Sequence, residues 1–247
     1  MTIYIGSGHG QDNASAGVFD SGAVGNGITE AAFVRELTPK VIAILTAAGQ
    51  KVVEIPGTGN LGTRIDWLIA RAKPEDWAFH VHMNSNSPSS TGTEVVYDDQ
   101  RPDLADEATA LATGIATAAG LKNRGIRKDT QTPRKYLGFV SRPACKAFIL
   151  ENGFIGNPSD VAILKAKGPA AIASAILSAI GAHPNPAPPP WQPSAEQVAA
   201  FALMTSLGVY LAATPDDPGT PKNQPRYEQA VLFSRLVGAL DIRYVRS

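Results

Sequence analysis

Six short runs rich in β-branched and aromatic residues, at 2–5, 51–55, 77–82, 93–97, 136–139 and 146–150, alternate along the chain with stretches of helical period. This alternation is the strongest constraint on the fold. Strands separated by helices cannot close as hairpins and instead join a largely parallel twisted sheet flanked by helices, an α/β architecture. Between 28 and 48, Val34, Leu37, Val41, Leu45 and Ala48 recur on one helical face. Pro39 falls inside that stretch, so a kink or restart is expected at Thr38-Pro39. Further helices are expected at 61–72, 102–119 and 168–180. Residues 120–146 are basic and turn-rich and carry the weakest pattern.

Sheets of this kind place their sites at the carboxyl ends of the strands. The first run, Thr2-Ile3-Tyr4-Ile5, leads into Gly6-Ser7-Gly8-His9-Gly10, a sharp glycine-rich turn beside one imidazole. Glu30 stands at the mouth of the first helix. A nitrogen ligand at a strand end and a carboxylate at a helix start are two parts of a metal site, although the helix dipole alone also favours a glutamate there. The third run carries His80 and His82. Alternation sends both to one face, so spacing does not choose between them. The sixth run ends in Glu151 after Phe148-Ile149-Leu150, a costly residue at a buried edge.

Four stretches, GSGHG, DSGAVGNGITE, HVHMNS and LENGFIGNPSD, occur in that order. Together they resemble the zinc-dependent N-acetylmuramoyl-L-alanine amidases of the type 3 amidase family over about residues 1–182. The family pattern is a Gly-His-Gly turn, an Asp-x-Gly-Ala loop leading to a helix-opening Glu, a His-x-Asn, and a Glu-x-Gly-Phe-x-x-Asn. Here these are His9, Asp20-Ser21-Gly22-Ala23 with Glu30, His82-Met83-Asn84, and Glu151-Asn152-Gly153-Phe154 through Asn157. The resemblance implies that His9, Glu30 and His82 hold Zn2+, that His80 is not a ligand, and that Glu151 is the general acid/base. Two histidines and a glutamate are also a recognised catalytic zinc set. Zinc would activate a water for attack on the amide joining N-acetylmuramic acid to L-alanine of the stem peptide.

The chain departs from the common pattern in the loop at 11–19 and at Gly57-Thr58-Gly59-Asn60-Leu61-Gly62. The second matches a dinucleotide-binding G-x-G-x-x-G. Pro56 precedes it, however, it follows the second strand and not the first, and the next strand ends in His-Met-Asn without an acidic ribose contact. A mobile loop at the cleft edge is the better reading, with Asn60, Arg64 and Asn84 as candidate substrate contacts. Cys145 reads as a small buried hydrophobe, not a nucleophile.

The 22 basic residues match 22 acidic ones. Zero net charge gives no footprint for a nucleic-acid partner. One cysteine cannot form an intramolecular disulfide. No Lys or Arg precedes Arg35 and the first apolar run breaks at Gly6, so a secretory signal is not expected. The apolar run at 170–182 reads as too short for a membrane span. A soluble chain, cytoplasmic at synthesis and acting on peptidoglycan after release, follows as the expectation. Six of the ten residues from Pro184 to Pro193 are proline, marking a linker at 183–193 between a catalytic domain at 1–182 and a module at 194–247. Two helical patterns, 195–212 and 226–240, give that module more apolar surface than 54 residues bury alone. It is expected to self-associate as a homo-oligomer or to dock on a partner. A phage endolysin is the leading expectation. The alternatives are a bacterial autolysin, a zinc peptidase cutting within the stem peptide, and a catalytically silent peptidoglycan-binding module.

Overall fold

The computed structural model describes residues 1–10 and 18–182. Most of the 11–19 loop, the linker at 183–193 and the module expected at 194–247 lie outside the described residues. Six strands form one sheet in the order β4-β1-β5-β8-β6-β7. They are β1 (Ile3–Ser7), β4 (Val52–Glu54), β5 (Trp77–Asn84), β6 (Thr93–Tyr97), β7 (Asn123–Lys128) and β8 (Lys146–Phe154). Two-residue strands β2 (Val24–Gly25) and β3 (Ile28–Thr29) pair separately, antiparallel. Within the main sheet only β6 and β8 pair antiparallel, so the sheet is mixed and mostly parallel.

Each face has its own core. On one, Trp77, Phe79 and Phe148 stack at centroid spacings of 5.7–6.0 Å among Ile3, Ile5, Val81, Val95 and Leu150. Helices α1 (Glu30–Ala47), α3 (Ala105–Ala119) and α5 (Pro158–Ala179) pack together there. On the other, Tyr4, Ala78, Val96, Ala147 and Ile149 meet residues of α2 (Leu61–Ile69) and α4 (Gly138–Ser141). Period-two alternation puts His80, His82, Asn84, Glu94 and Glu151 on this second face.

Four expectations need correction. First, α1 continues through Pro39 without the restart that the proline suggested. An interior proline costs about 3 kcal/mol, but α1 buries Phe33, Val34, Leu37, Val41 and Leu45, each worth roughly 1.5–3 kcal/mol. Second, residues 136–139 form no strand; Gly138 opens the short helix α4. The strand in that region is β7, Asn-Arg-Gly-Ile-Arg-Lys, whose charge hid it and suits a sheet edge. Third, α5 begins at Pro158, ten residues before its expected start. Asn157 caps it by accepting from the Ser159 and Asp160 amides, and Pro158 occupies the first turn, where its missing N–H costs nothing. At 22 residues α5 is long and apolar enough to cross a membrane, unlike the shorter run read from the sequence, but half of that apolar stretch is buried and α5 packs on α1 and α3.

The fourth correction concerns Glu151, which does not end its strand. β8 continues to Phe154, and its pairing with β5 slips by one residue. His82 faces Glu151, but Asn84 faces Phe154. The extra residue is a β-bulge, a device common beside active sites. It lets Asn152 Nδ2 donate to the carbonyls of His82 (3.1 Å) and Leu150 (2.8 Å).

Candidate metal centre

His9 leaves the end of β1, Glu30 opens α1 and His82 lies near the end of β5. One ligand-capable atom from each falls within 4.8 Å of the other two. Glu30 is the hub, with Oε2 3.2 Å from His9 Nε2 and Oε1 3.0 Å from His82 Nδ1. Its carboxylate is further held by backbone amides, Oε1 accepting from Met83 (2.9 Å) and Oε2 from Ala23 (3.0 Å). Thr29 caps the helix from which Glu30 projects, accepting from the Ala32 amide at 3.2 Å.

Two glycines make room for this cluster. A Cβ at Gly8 would collide with the His82 ring. At Gly22, where φ is +60°, a Cβ would stand 2.6 Å from the His9 ring and 2.7 Å from Glu30 Oε2. The loop containing Gly22 also aims His9. Asp20 Oδ2 lies 2.9 Å from His9 Nδ1 while Oδ1 accepts from the Gly22 amide at 3.1 Å. A backbone bridge from Asp20 to Gly10 ties the loop's two ends together.

The electrostatics are those of a site organised for a cation. Burial works against charge on both His9 and Glu30, yet their mutual contacts win. Hydrogen bonds and charge attraction to the Glu30 and Asp20 carboxylates outweigh desolvation and raise His9 to about 9. Contacts with His82 and His9 outweigh burial and hold Glu30 well below the usual carboxylate range. A divalent ion bound here would displace the His9 proton. The donor set, two imidazoles and a carboxylate with Asp20 behind His9, fits zinc.

Glu151 stands beside His82 on the neighbouring strand. Burial, opposed by His82 and reinforced by Glu30 and Glu94, pushes its carboxyl up to about 7. Its Oε2 atom is buried and has no hydrogen-bond partner among the described residues. Asn84 is turned to Glu94, donating from Nδ2 to Oε1 at 2.9 Å.

The other sequence candidates are not members of this three-residue group. His80 is buried and its ring stacks on Phe139 at 3.8 Å. Burial, with Arg64 and the other two histidines, holds its pKa well below normal, so it stays neutral. Asn60 caps α2 through its Oδ1, 2.9 Å from the Thr63 amide. Arg64, expected at the cleft edge, is only 4% exposed. Its Nη2 donates to the Ser7 carbonyl and lies 3.3 Å from His80 Nε2, behind the turn that carries His9. Cys145 is buried, and desolvation raises its thiol to about 12. The role of Asp20 was not read from the sequence, although Asp-Ser-Gly is a turn signal. Nor was the network around Glu94, whose arginines sit in the poorly patterned 120–146 segment.

The profile of the N-acetylmuramoyl-L-alanine amidases matches residues 3–182. The chain belongs to this family. Among curated relatives it is 29% identical over 168 residues to the N-acetylmuramoyl-L-alanine amidase LytC of Bacillus subtilis, a match covering 66% of this chain and 31% of LytC. The chain thus spans about a third of that relative's length. The solved catalytic domain of CwlV, an N-acetylmuramoyl-L-alanine amidase from Bacillus (Paenibacillus) polymyxa var. colistinus, superposes with a TM-score of 0.61 at 25% identity. That match covers 74% of this chain and 99% of CwlV's domain. The catalytic domain of an endolysin targeting Clostridia Difficile shares the fold at a TM-score of 0.59 and 22% identity, covering 73% of this chain and 96% of that one.

Proposed function

We propose that the chain is a zinc-dependent peptidoglycan hydrolase that cuts the amide between N-acetylmuramic acid and L-alanine. The observation that carries this reading is the junction of the His9–Glu30–His82 cluster with Glu151, whose Oε2 is buried without a partner among the described residues. Zinc, held by His9, Glu30 and His82, would supply Lewis-acid polarisation of the scissile carbonyl and acidify a water. Glu151 takes the proton from the attacking water as the new C–O bond forms. It then returns that proton to the nitrogen as the C–N bond breaks, leaving a lactyl carboxylate and the free amine of L-alanine. A carboxyl near 7 is suited to both transfers, because a general base that must later act as an acid works best near the operating pH. Asp20 orients His9 through Nδ1 and leaves Nε2 facing Glu30. Glu30, fixed by two backbone amides, keeps the ligand atoms together without a moving part.

The endolysin role forms part of the same proposal. It is compatible with the fold shared with an endolysin catalytic domain, and lysis of whole cells by added protein tests it. Digestion of purified sacculi followed by mass spectrometry tests the bond assignment. New amino termini at L-alanine, with intact stem peptides, are expected. Fragments cut within the peptide would make the chain a peptidase instead.

A further inference from the structure

On the second face of the sheet, His82, Glu151 and Glu94 stand in one row on three adjacent strands, β5, β8 and β6. On the next strand, β7, Arg127 is the register partner of Val96, two residues beyond Glu94, and its side chain reaches back to Glu94. The Glu94 side chain is only 5% exposed. Its Oε1 accepts from Asn84, and its Oε2 lies 3.1 Å from Arg127 Nη2 and 3.5 Å from Arg124 Nε. Arg124 is also laid over the Phe154 ring at 4.9 Å.

One carboxylate therefore serves two guanidiniums, leaving a surplus positive charge. Either arginine alone would balance Glu94. The side chains of Arg124 and Arg127 are 28% and 35% exposed, and among the described residues they make no other side-chain hydrogen bonds. Each guanidinium carries five N–H donors in a fixed fork, so most of these donors remain for a ligand. A planar anion taken by two oriented forks is most simply a carboxylate.

We propose that Arg124 and Arg127, anchored on Glu94, form a subsite for a carboxylate on the peptide limb of the substrate. This rests on the amidase reading above and adds the selectivity of that site. Adjacent strands lie about 4.8 Å apart, so β7 is roughly 10 Å across the sheet from Glu151. An extended peptide advances about 3.3 Å per residue. The carboxylate recognised thus belongs to the second or third residue beyond the scissile amide. Glu94 is the positioning residue, because its side chain, only 5% exposed, holds both forks in place.

The test uses the zinc-loaded full chain and synthetic muramyl peptides in matched pairs. Within each pair, the second or the third residue carries either a free carboxylate or the primary amide. Wild type should show a KM about tenfold lower for the acid of one pair, the scale of a partly exposed charge-assisted contact. The double variant R124Q/R127Q should raise that KM to the amide's value, with kcat within about twofold and zinc stoichiometry unchanged. R127K should restore part of the preference. Equal loss on acid and amide substrates, or a wild type indifferent to the carboxylate in both pairs, would overturn the subsite while leaving the amidase intact. A wild type that cuts none of the four substrates overturns the amidase reading, and the subsite with it.

Discussion

His82 and Glu151 are register partners on the parallel strands β5 and β8. A metal-ligand candidate and a proton-transfer candidate are thereby held one strand spacing apart, about 4.8 Å, by backbone pairing and not by loops. Replacing Glu151 by Gln keeps its shape and removes the base. Zinc content should be unchanged while turnover falls 10²- to 10⁴-fold, the usual weight of general acid/base catalysis. Loss of the metal in that variant would make Glu151 a ligand. Activity should also fall as pH drops through the Glu151 pKa, about 7 in the metal-free protein and lower beside a bound cation.

The two histidines of β5 should separate cleanly. His82→Ala is expected to lose stoichiometric zinc and activity together. His80→Ala should retain zinc but destabilise the fold by about 2–4 kcal/mol, because it empties a buried site against Phe139. Metal analysis and thermal unfolding on both variants check this. Zinc lost from the His80 variant and kept in the His82 variant would reverse the assignment.

Asp20 reaches the cluster only through His9 Nδ1. Asp20→Asn keeps a polar partner but removes the charge that favours the correct imidazole orientation. Metal affinity should drop about 10- to 100-fold, as for other supports of a ligand histidine. Competition with a chelator measures it.

In the metal-free protein, His9 titrates at about 9, above its ordinary value near 6.5. The fold therefore favours the protonated ring, and this contribution is fully present below pH 6.5 and lost as pH rises toward 9. The Tm of metal-free protein should fall across that window, and the fall should be smaller in His9→Gln. Glu151, raised to about 7 from near 4.5, loses its own contribution mostly below the same window. Zinc affinity should run the opposite way and rise with pH, because the ion displaces the His9 proton. A Tm that rises over pH 6.5–9 without metal would contradict this electrostatic account.

Much of the sheet was readable because its strands are apolar enough to announce themselves. Phe79, Phe148, Val95 and Leu150 sit in the core where alternation and burial placed them. β7 was not readable, since Arg124, Arg127 and Lys128 carry its edge on charge. The start of α5 was missed for a related reason. Asn157-Pro158 is a capping signal, but the polar Ser159-Asp160 turn that follows has no apolar period. Within the site, His9 and Glu30 were legible at a strand end and a helix start, His82 was chosen over His80 only through the family resemblance, and Glu151 was expected at the end of a strand that runs on to Phe154. Arg64 was misplaced because a cation after a glycine-rich loop reads as exposed. Nothing local to the sequence announces the Ser7 carbonyl and the His80 ring it meets.

The bulge between Glu151 and Phe154 acts as a change of parity in β8. Up to Glu151 the odd-numbered side chains face His82; beyond it Phe154 shares the face of Asn84 and underlies Arg124, while Ile155 enters the opposite core. Removing one residue here, Asn152 for example, would delete little volume and no charge. It would close the bulge and leave Glu151 and Phe154 two apart on one face of a regular strand, at the cost of the side chain that ties β8 to the His82 carbonyl. A deletion here is absorbed by the bulge, whereas one extra residue between Phe154 and Asn157 would exchange inside for outside from that point to the cap. Parity thus constrains the count of residues after Phe154 more tightly than the count between Glu151 and Phe154.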